Sequence, residues 1–237
     1  MKYSDQFTDW LVDSGYTHCF FVAGGNIMHL LDSVRSRLEC IPVVHEVAAG
    51  IATEYFNEVN GRRGPRAFAL VTAGPGLTNI LTAMAGAFLE SRELLVVGGQ
   101  VKSTDLARGE LRQRGIQEVD GIALAKPVSV ATLRIERPLP RATVMSVIDT
   151  GREGRPGPVF LEFCLDAQAG APVVGGDVAR QFRIEPAFSM PEDLRAALLA
   201  VDRPVLLLGG GVERDVAASL LPALTRLGVP LATTWNG

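Results

Sequence analysis

The chain has 237 residues, 47% of them hydrophobic, 21% charged and 6% aromatic, with a formal net charge of −3, which suits one or two cores of small aliphatic side chains in a soluble globular protein. It carries no block of like charge, so nucleic acid and anionic membrane surfaces lack the footprint they need. No apolar stretch reaches membrane-spanning length and Met1-Lys2-Tyr3-Ser4-Asp5 opens no signal peptide, so a cytoplasmic protein is expected.

Residues 4–14 have the helical spacing Phe7, Trp10, Leu11 behind a Ser4-Asp5 N-cap, and Gly15 stops the helix. Cys19-Phe20-Phe21-Val22 reads as a short buried strand; after Gly24-Gly25 a helix runs from about Ile27 to Val34. Ile41-Pro42-Val43-Val44 is a second strand, followed by an Ala-rich helix from His45 to Val59, closed by Asn60-Gly61. Ala67-Phe68-Ala69-Leu70-Val71 is an apolar run of strand length, followed by Thr72-Ala73-Gly74-Pro75-Gly76 and a helix through Phe88. Leu94–Val97, ending in Gly98-Gly99-Gln100, and Pro158–Phe163 supply further strands. Alternating strands and helices predict an α/β fold, a doubly wound and mostly parallel sheet with right-handed crossovers and ligands at the strand C-terminal ends.

From Gln168 to Met190 the composition turns to Ala, Gly, Pro and Val without period, as in a linker. A second α/β unit starts at Pro191-Glu192-Asp193, with a strand at Val205–Leu208, the run Gly209-Gly210-Gly211, a helix, and another strand before Thr233-Thr234-Trp235-Asn236-Gly237. About fifty residues are too few to close a doubly wound core, so the chain reads as a piece of a longer protein. Cys19, Cys40 and Cys164 are odd in number and lack C-x-x-C spacing, which favours buried thiols over a disulfide framework or zinc site.

Among polar residues, Glu46 stands out. Its neighbours Val44, Val47, Ala48 and Ala49 are apolar, and a poorly solvated carboxyl can hold or share a proton near neutral pH, as a general acid or a partner for a ring nitrogen must. The alternative is a first-turn Glu satisfying helix N–H groups. Gly74-Pro75-Gly76-Leu77-Thr78-Asn79 joins a strand to a helix, so it either faces a ligand such as phosphate or is simply a tight turn. It has neither the P-loop ending nor the G-x-G-x-x-G spacing. His29 faces either a site or solvent, and Gln117 and Glu118 are site residues or helix caps. Thr72 and Ser91 lie outside any G-x-S-x-G setting.

Taken together, Phe21-Val22-Ala23-Gly24-Gly25, Val44-His45-Glu46 with Ala48-Ala49, Leu70 through Asn79, Gly99-Gln100-Val101, Gln117-Glu118-Val119-Asp120, Lys126-Pro127-Val128 and Gly154 through Val159 resemble the acetolactate synthase family of thiamine-diphosphate (ThDP) enzymes. The resemblance implies a pyrimidine-binding domain over residues 1–167, a linker over 168–190 and the start of a Rossmann-like central domain over 191–237, with the diphosphate-binding domain absent. It implies that Glu46 hydrogen-bonds the aminopyrimidine ring nitrogen and promotes the imino form that removes the thiazolium proton. Gly24, Gly25, Thr72, Gly74, Pro75, Gly76 and Asn79 would line the cofactor cleft, and Gln117 would be catalytic on the substrate side. The implied reaction decarboxylates a 2-oxo acid such as pyruvate and transfers the acyl unit to a carbonyl acceptor, with Mg²⁺ held by the missing domain, FAD in some relatives, and a homodimer or homotetramer as the assembly. The isolated chain would then be inactive.

The chain departs from the family pattern at Ala23, Val47, Lys102 and Ile116, which points away from branched-chain biosynthesis. Met28 to Ser33 and Gly99-Gln100-Val101-Lys102 are instead similar to acetolactate synthase-like proteins of surface-sugar biosynthesis, where a keto-sugar acceptor would give His29, Gln100 and Lys102 substrate roles. The competing functions are a ThDP-dependent decarboxylase releasing an aldehyde, and a non-catalytic module or half of a split enzyme. A nicotinamide dehydrogenase lacks its fingerprint.

Overall fold

The structure is a computed structural model that describes residues 1–174, 190–212 and 214–234. Most of the expected linker and Trp235-Asn236-Gly237 lie outside the described residues. The chain divides into two compact units, Met1–Val178 and Ala179–Gly237. No helix among the described residues is long and apolar enough to cross a membrane.

The first unit runs α1 (Tyr3–Asp13), β1 (Tyr16–Phe21), α2 (Met28–Val34), β2 (Glu39–Pro42), α3 (Glu46–Asn60), β3 (Arg66–Val71), α4 (Pro75–Glu90), β4 (Leu94–Gln100), α5 (Gly121–Ala125), β5 (Ala131–Ile135), α6 (Arg141–Asp149), β6 (Pro158–Cys164) and α7 (Leu165–Ala169). All six strands pair in parallel, in the order β2-β1-β3-β4-β6-β5, and β3, β4 and β6 are buried throughout, as strands covered on both faces must be. Alternate residues serve opposite cores. Phe68, Leu70, Leu95, Val97, Leu161 and Phe163 join Tyr3, Phe7, Leu30 and Ile148 on one side. Ala67, Ala69, Val71, Val96 and Phe160 meet Ala49, Ile80, Ala83 and Met84 on the other. The small side chains on the second face let α3 and α4 lie close to the sheet and to each other.

Several boundaries differ from expectation. Lys2 rather than Ser4-Asp5 caps α1: Asp5 occupies the third helical position, where its carboxylate accepts from the Lys2 backbone N–H at 2.8 Å, and Ser4 is fully buried. The second strand ends at Pro42, and Val44 is fully exposed because the chain has already left the sheet edge for the cap of α3. Gly98-Gly99-Gln100 continue β4 rather than ending it, since they pair with Glu162, Phe163 and Cys164 of β6. Gln168 is fully buried, with Nε2 donating to Asn26 O at 2.7 Å and Phe163 O at 3.0 Å.

The second unit holds α8 (Glu192–Ala200), β7 (Leu206–Leu208), α9 (Arg214–Leu227) and β8 (Leu231–Thr233), with β7 and β8 in parallel. None of its described side chains is fully buried, and Leu199 and Leu227 are well exposed. Two strands cannot enclose a core by themselves.

Candidate functional site

The sheet order places a topological switch point between β1 and β3: from β1 the chain first builds outward to β2, and from β3 it builds the other way. Open α/β sheets bind ligands outside the strand C-termini at such a point. Here those ends carry Gly24-Gly25 after β1 and Thr72–Gly76 after β3.

The two turns touch. A Cβ on Gly24 would lie 2.6 Å from Thr72 Oγ1, and one on Gly76 would lie 3.0 Å from Thr72 Cγ2 and 3.4 Å from Glu46 Oε1. Gly74 has φ 64 and ψ −115, which side-chain-bearing residues avoid, and an added Cβ there would sit 2.5 Å from Gln117 O. Pro75 takes the first position of α4, where its missing N–H costs nothing.

His45 caps α3, its Nδ1 accepting from Val47 N at 3.2 Å, so Glu46 is not needed as a cap. The Glu46 side chain turns inward and is 7% exposed. Among its sequence neighbours Val44, His45 and Ala48 are exposed, Val47 is half-buried and Ala49 is buried, and the Thr72–Gly76 turn packs against the carboxylate. Asn79 Nδ2 donates to Glu46 Oε2 at 2.9 Å. Among the described residues no other donor reaches the carboxylate, which leaves Oε1 with hydrogen-bonding capacity to offer a ligand.

Close packing of α3 on α4 continues beyond that bond. One turn beyond Glu46 is Gly50, and one turn beyond Asn79 is Ala83. A Cβ on Gly50 would collide with Ala83 Cβ and lie 3.2 Å from Ile80 Cγ1. A further turn along α3, Glu54 accepts from Arg92 Nη1 at 2.9 Å, and burial pushes its carboxyl up against the pull of Arg92.

Gln117 is exposed, with φ 61, and its backbone lies against Gly74. Neither Gln117 nor Glu118 caps a helix: Asp120 does, accepting from Ala123 N at 3.2 Å, while Glu118 accepts from the N–H groups of Ala107, Arg114 and Gly115. Gln100 is 1% exposed and fully engaged, its Nε2 donating to Val119 O and Glu162 Oε1 at 2.9 Å and its Oε1 accepting from Val101 N. Glu162 also accepts from Arg134, which reaches Asp120 at 2.6 Å. This brace behind residues 117–121 had no periodic signal in the sequence. Half-buried His29 and exposed Lys102 make no hydrogen bond or ion pair to the Glu46 cluster. Gly25 is exposed and open, with nothing within 4 Å of an added Cβ.

A buried carboxylate with one engaged oxygen, packed against the Thr72–Gly76 turn of a doubly wound α/β domain, stands at the switch point where open sheets bind small molecules. Residues 1–124 match the family described as thiamine pyrophosphate enzyme, N-terminal TPP binding domain. The chain belongs to that family. It is 31% identical over 236 residues to a glyoxylate carboligase of Escherichia coli O157:H7, covering 96% of this chain and 38% of that protein. It is 28% identical to the mitochondrial acetolactate synthase catalytic subunit of Aspergillus candidus (98% of this chain, 35% of that protein) and 28% identical to a probable acetolactate synthase large subunit of Methanocaldococcus jannaschii (100% and 41%). The chain therefore spans 35–41% of the length of these curated relatives.

Proposed function

We propose that residues 1–167 form the pyrimidine-binding part of a ThDP-dependent carboligase, which decarboxylates a 2-oxo acid such as pyruvate and transfers the acyl unit to a carbonyl acceptor. The observation that carries this reading is the Glu46 carboxylate, 7% exposed, oriented through Oε2 by Asn79 and without a hydrogen-bond partner at Oε1 among the described residues. Gly76 keeps a side chain away from Glu46 Oε1, Gly24 and Gly74 let the flanking loops close on Thr72 and Gln117, and Thr72 Oγ1 is buried without a hydrogen-bond partner.

In this reading Asn79 fixes the carboxylate plane, and Oε1 exchanges a proton with the ring nitrogen of the aminopyrimidine. The Thr72–Gly76 turn keeps water from the buried side of the carboxylate, and Gln117, held against Gly74, borders the substrate. ThDP, when bound, supplies the electron sink for decarboxylation. Among the described residues no group of three His, Cys, Asp or Glu side chains is placed to hold a metal ion, so the reading assigns Mg²⁺ and the diphosphate to another domain or subunit, within a homodimer or homotetramer. Relatives that include both acetolactate synthases and a glyoxylate carboligase support the carboligase class and leave the acceptor to product analysis.

The test is Glu46→Gln in the full-length protein. Turnover of pyruvate with added carbonyl acceptors should fall by about 10²–10⁴-fold, the range of lost proton-transfer catalysis, with the unfolding midpoint unchanged. Turnover within threefold of the parent would defeat the assignment.

A further inference from the structure

Two of the three cysteines face each other outside the cleft. Cys19 of β1 and Cys40 of β2 are direct register partners in a parallel pair, and both belong to the core on the α1 and α2 side. Neighbouring strands lie about 4.8 Å apart, inside the Cα separation of roughly 4.4–6.8 Å that a disulfide spans. Cys19 is fully buried, whereas Cys40 is half-buried on the edge strand.

The two thiols are chemically unequal. Hydrogen bonding to the Cys19 thiol holds Cys40 below the ordinary thiol range, against its own burial. Burial, then the hydrogen bond and charge of Cys40, push Cys19 well up. A reachable thiol beside a shielded register partner is the arrangement in which the first is oxidised and the second resolves it. Cys164 is excluded from the pair. It lies on β6, three strand spacings or about 14 Å from β1, and burial pushes its thiol up to about 12.

We propose that Cys40 and Cys19 form a thiol oxidation site that a hydroperoxide closes into an intrachain disulfide. The Cys40 thiolate attacks one peroxide oxygen and the O–O bond breaks, giving a sulfenic acid and, with hydrogen peroxide, water. The Cys19 sulfur then attacks the Cys40 sulfur; the S–S bond forms, and the sulfenic hydroxyl leaves as water with the Cys19 proton. Two thiols and one hydrogen peroxide thus give one disulfide and two waters. The disulfide would join the two strands that run on to Gly24-Gly25 and to His45-Glu46, although the thiol pair needs no cofactor in order to react.

The experiment treats the reduced full-length protein with equimolar hydrogen peroxide, blocks remaining thiols with N-ethylmaleimide, and maps peptides without reduction. A linked Cys19–Cys40 peptide pair is expected, with Cys164 alkylated and dithiothreitol restoring the free Cys19 and Cys40 thiols. In Cys40→Ser no crosslink should form and Cys19 should stay reduced, and in the native parent Cys40 should alkylate at least tenfold faster than Cys19. Oxidation of Cys40 to sulfinic acid with Cys19 left free, unreacted cysteines throughout, or equal alkylation rates would each overturn the proposal. A ThDP titration of the reduced protein reads the cofactor reading separately, so failure of one is distinguishable from failure of the other.

Discussion

Gly50→Ala tests whether helix spacing sets the site. The new Cβ would overlap Ala83 Cβ by more than about 1 Å relative to ordinary carbon contacts of about 3.5–4.0 Å. Both atoms are attached directly to backbone, so no side-chain rotation relieves the clash, and α3 and α4 must move apart. Overpacking of this kind costs about 1–3 kcal/mol, offset by about 0.8–1 kcal/mol from replacing a mid-helix glycine with alanine. A net loss of roughly 0–2 kcal/mol is expected in denaturant unfolding. The site should lose more than the fold, because one turn away the same separation acts on the Asn79–Glu46 bond, 2.9 Å long. A charge-assisted hydrogen bond contributes about 1.5–3 kcal/mol, so ThDP affinity or turnover of the full-length protein should drop about tenfold or more. The swap Gly50→Ala with Ala83→Gly moves the methyl group to the other helix and should restore much of the loss, with a coupling of at least about 1 kcal/mol. Unchanged turnover in Gly50→Ala, or a swap no better than the sum of the single changes, would refute the spacing argument.

Gly74→Ala should cost more. It combines a positive-φ conformation worth about 1–3 kcal/mol of strain with a methyl group 2.5 Å from Gln117 O, and a fall in unfolding midpoint of about 4 °C or more is expected at roughly 2–4 °C per kcal/mol; a midpoint within one degree of the parent would count against the turn geometry. Acid should destabilise the first unit. Burial pushes the carboxyls of Asp5, Glu118 and Asp166 up, but hydrogen bonds outweigh it and hold each below the ordinary carboxylate range: Lys2 and Ser33 at Asp5, three backbone N–H groups at Glu118, and Ser103 at Asp166. Groups depressed in the folded state contribute stability above their unfolded values and lose it as pH falls, so unfolding free energy should decline from about pH 5 downward. Asp166→Asn should flatten that slope, and an unaltered slope would remove Asp166 from the account. Glu54, Asp149 and Glu162, pushed up by burial, work in the opposite sense and lose stability as pH rises through their folded values.

The strand-turn-helix around Gly74 was legible because a continuous apolar run, a Gly-Pro-Gly turn and a long helical period coincide. Glu46 was legible as a buried acid, but for an incomplete reason. Of the apolar neighbours, Val44 and Ala48 are exposed, and the carboxylate packs against a turn about thirty residues away that local pattern cannot register. The edge strand β2 was placed two residues late, since Val43-Val44 look like strand whereas pairing with β1 ends at Pro42. Strand β5 and helix α6 carried too little apolar period to read, and β5 is only half-buried over most of its length. Arg134 braces the Gln117 segment through Asp120, 14 residues away, and is itself held by Glu162, 28 residues away, distances over which charge and spacing give no signal. Gln168 sits in a stretch whose composition resembles a linker, yet its amide is tied to the turn after β1.

The central claim is that Glu46 meets the aminopyrimidine of ThDP beside the Thr72–Gly76 turn. A crystal structure of the full-length protein with ThDP and Mg²⁺ tests it most directly. The account predicts a pyrimidine ring nitrogen within hydrogen-bond distance of Glu46 Oε1, with Oε2 still held by Asn79. A ring bound elsewhere, or a cleft with Glu46 facing only water while ThDP is present, would contradict it.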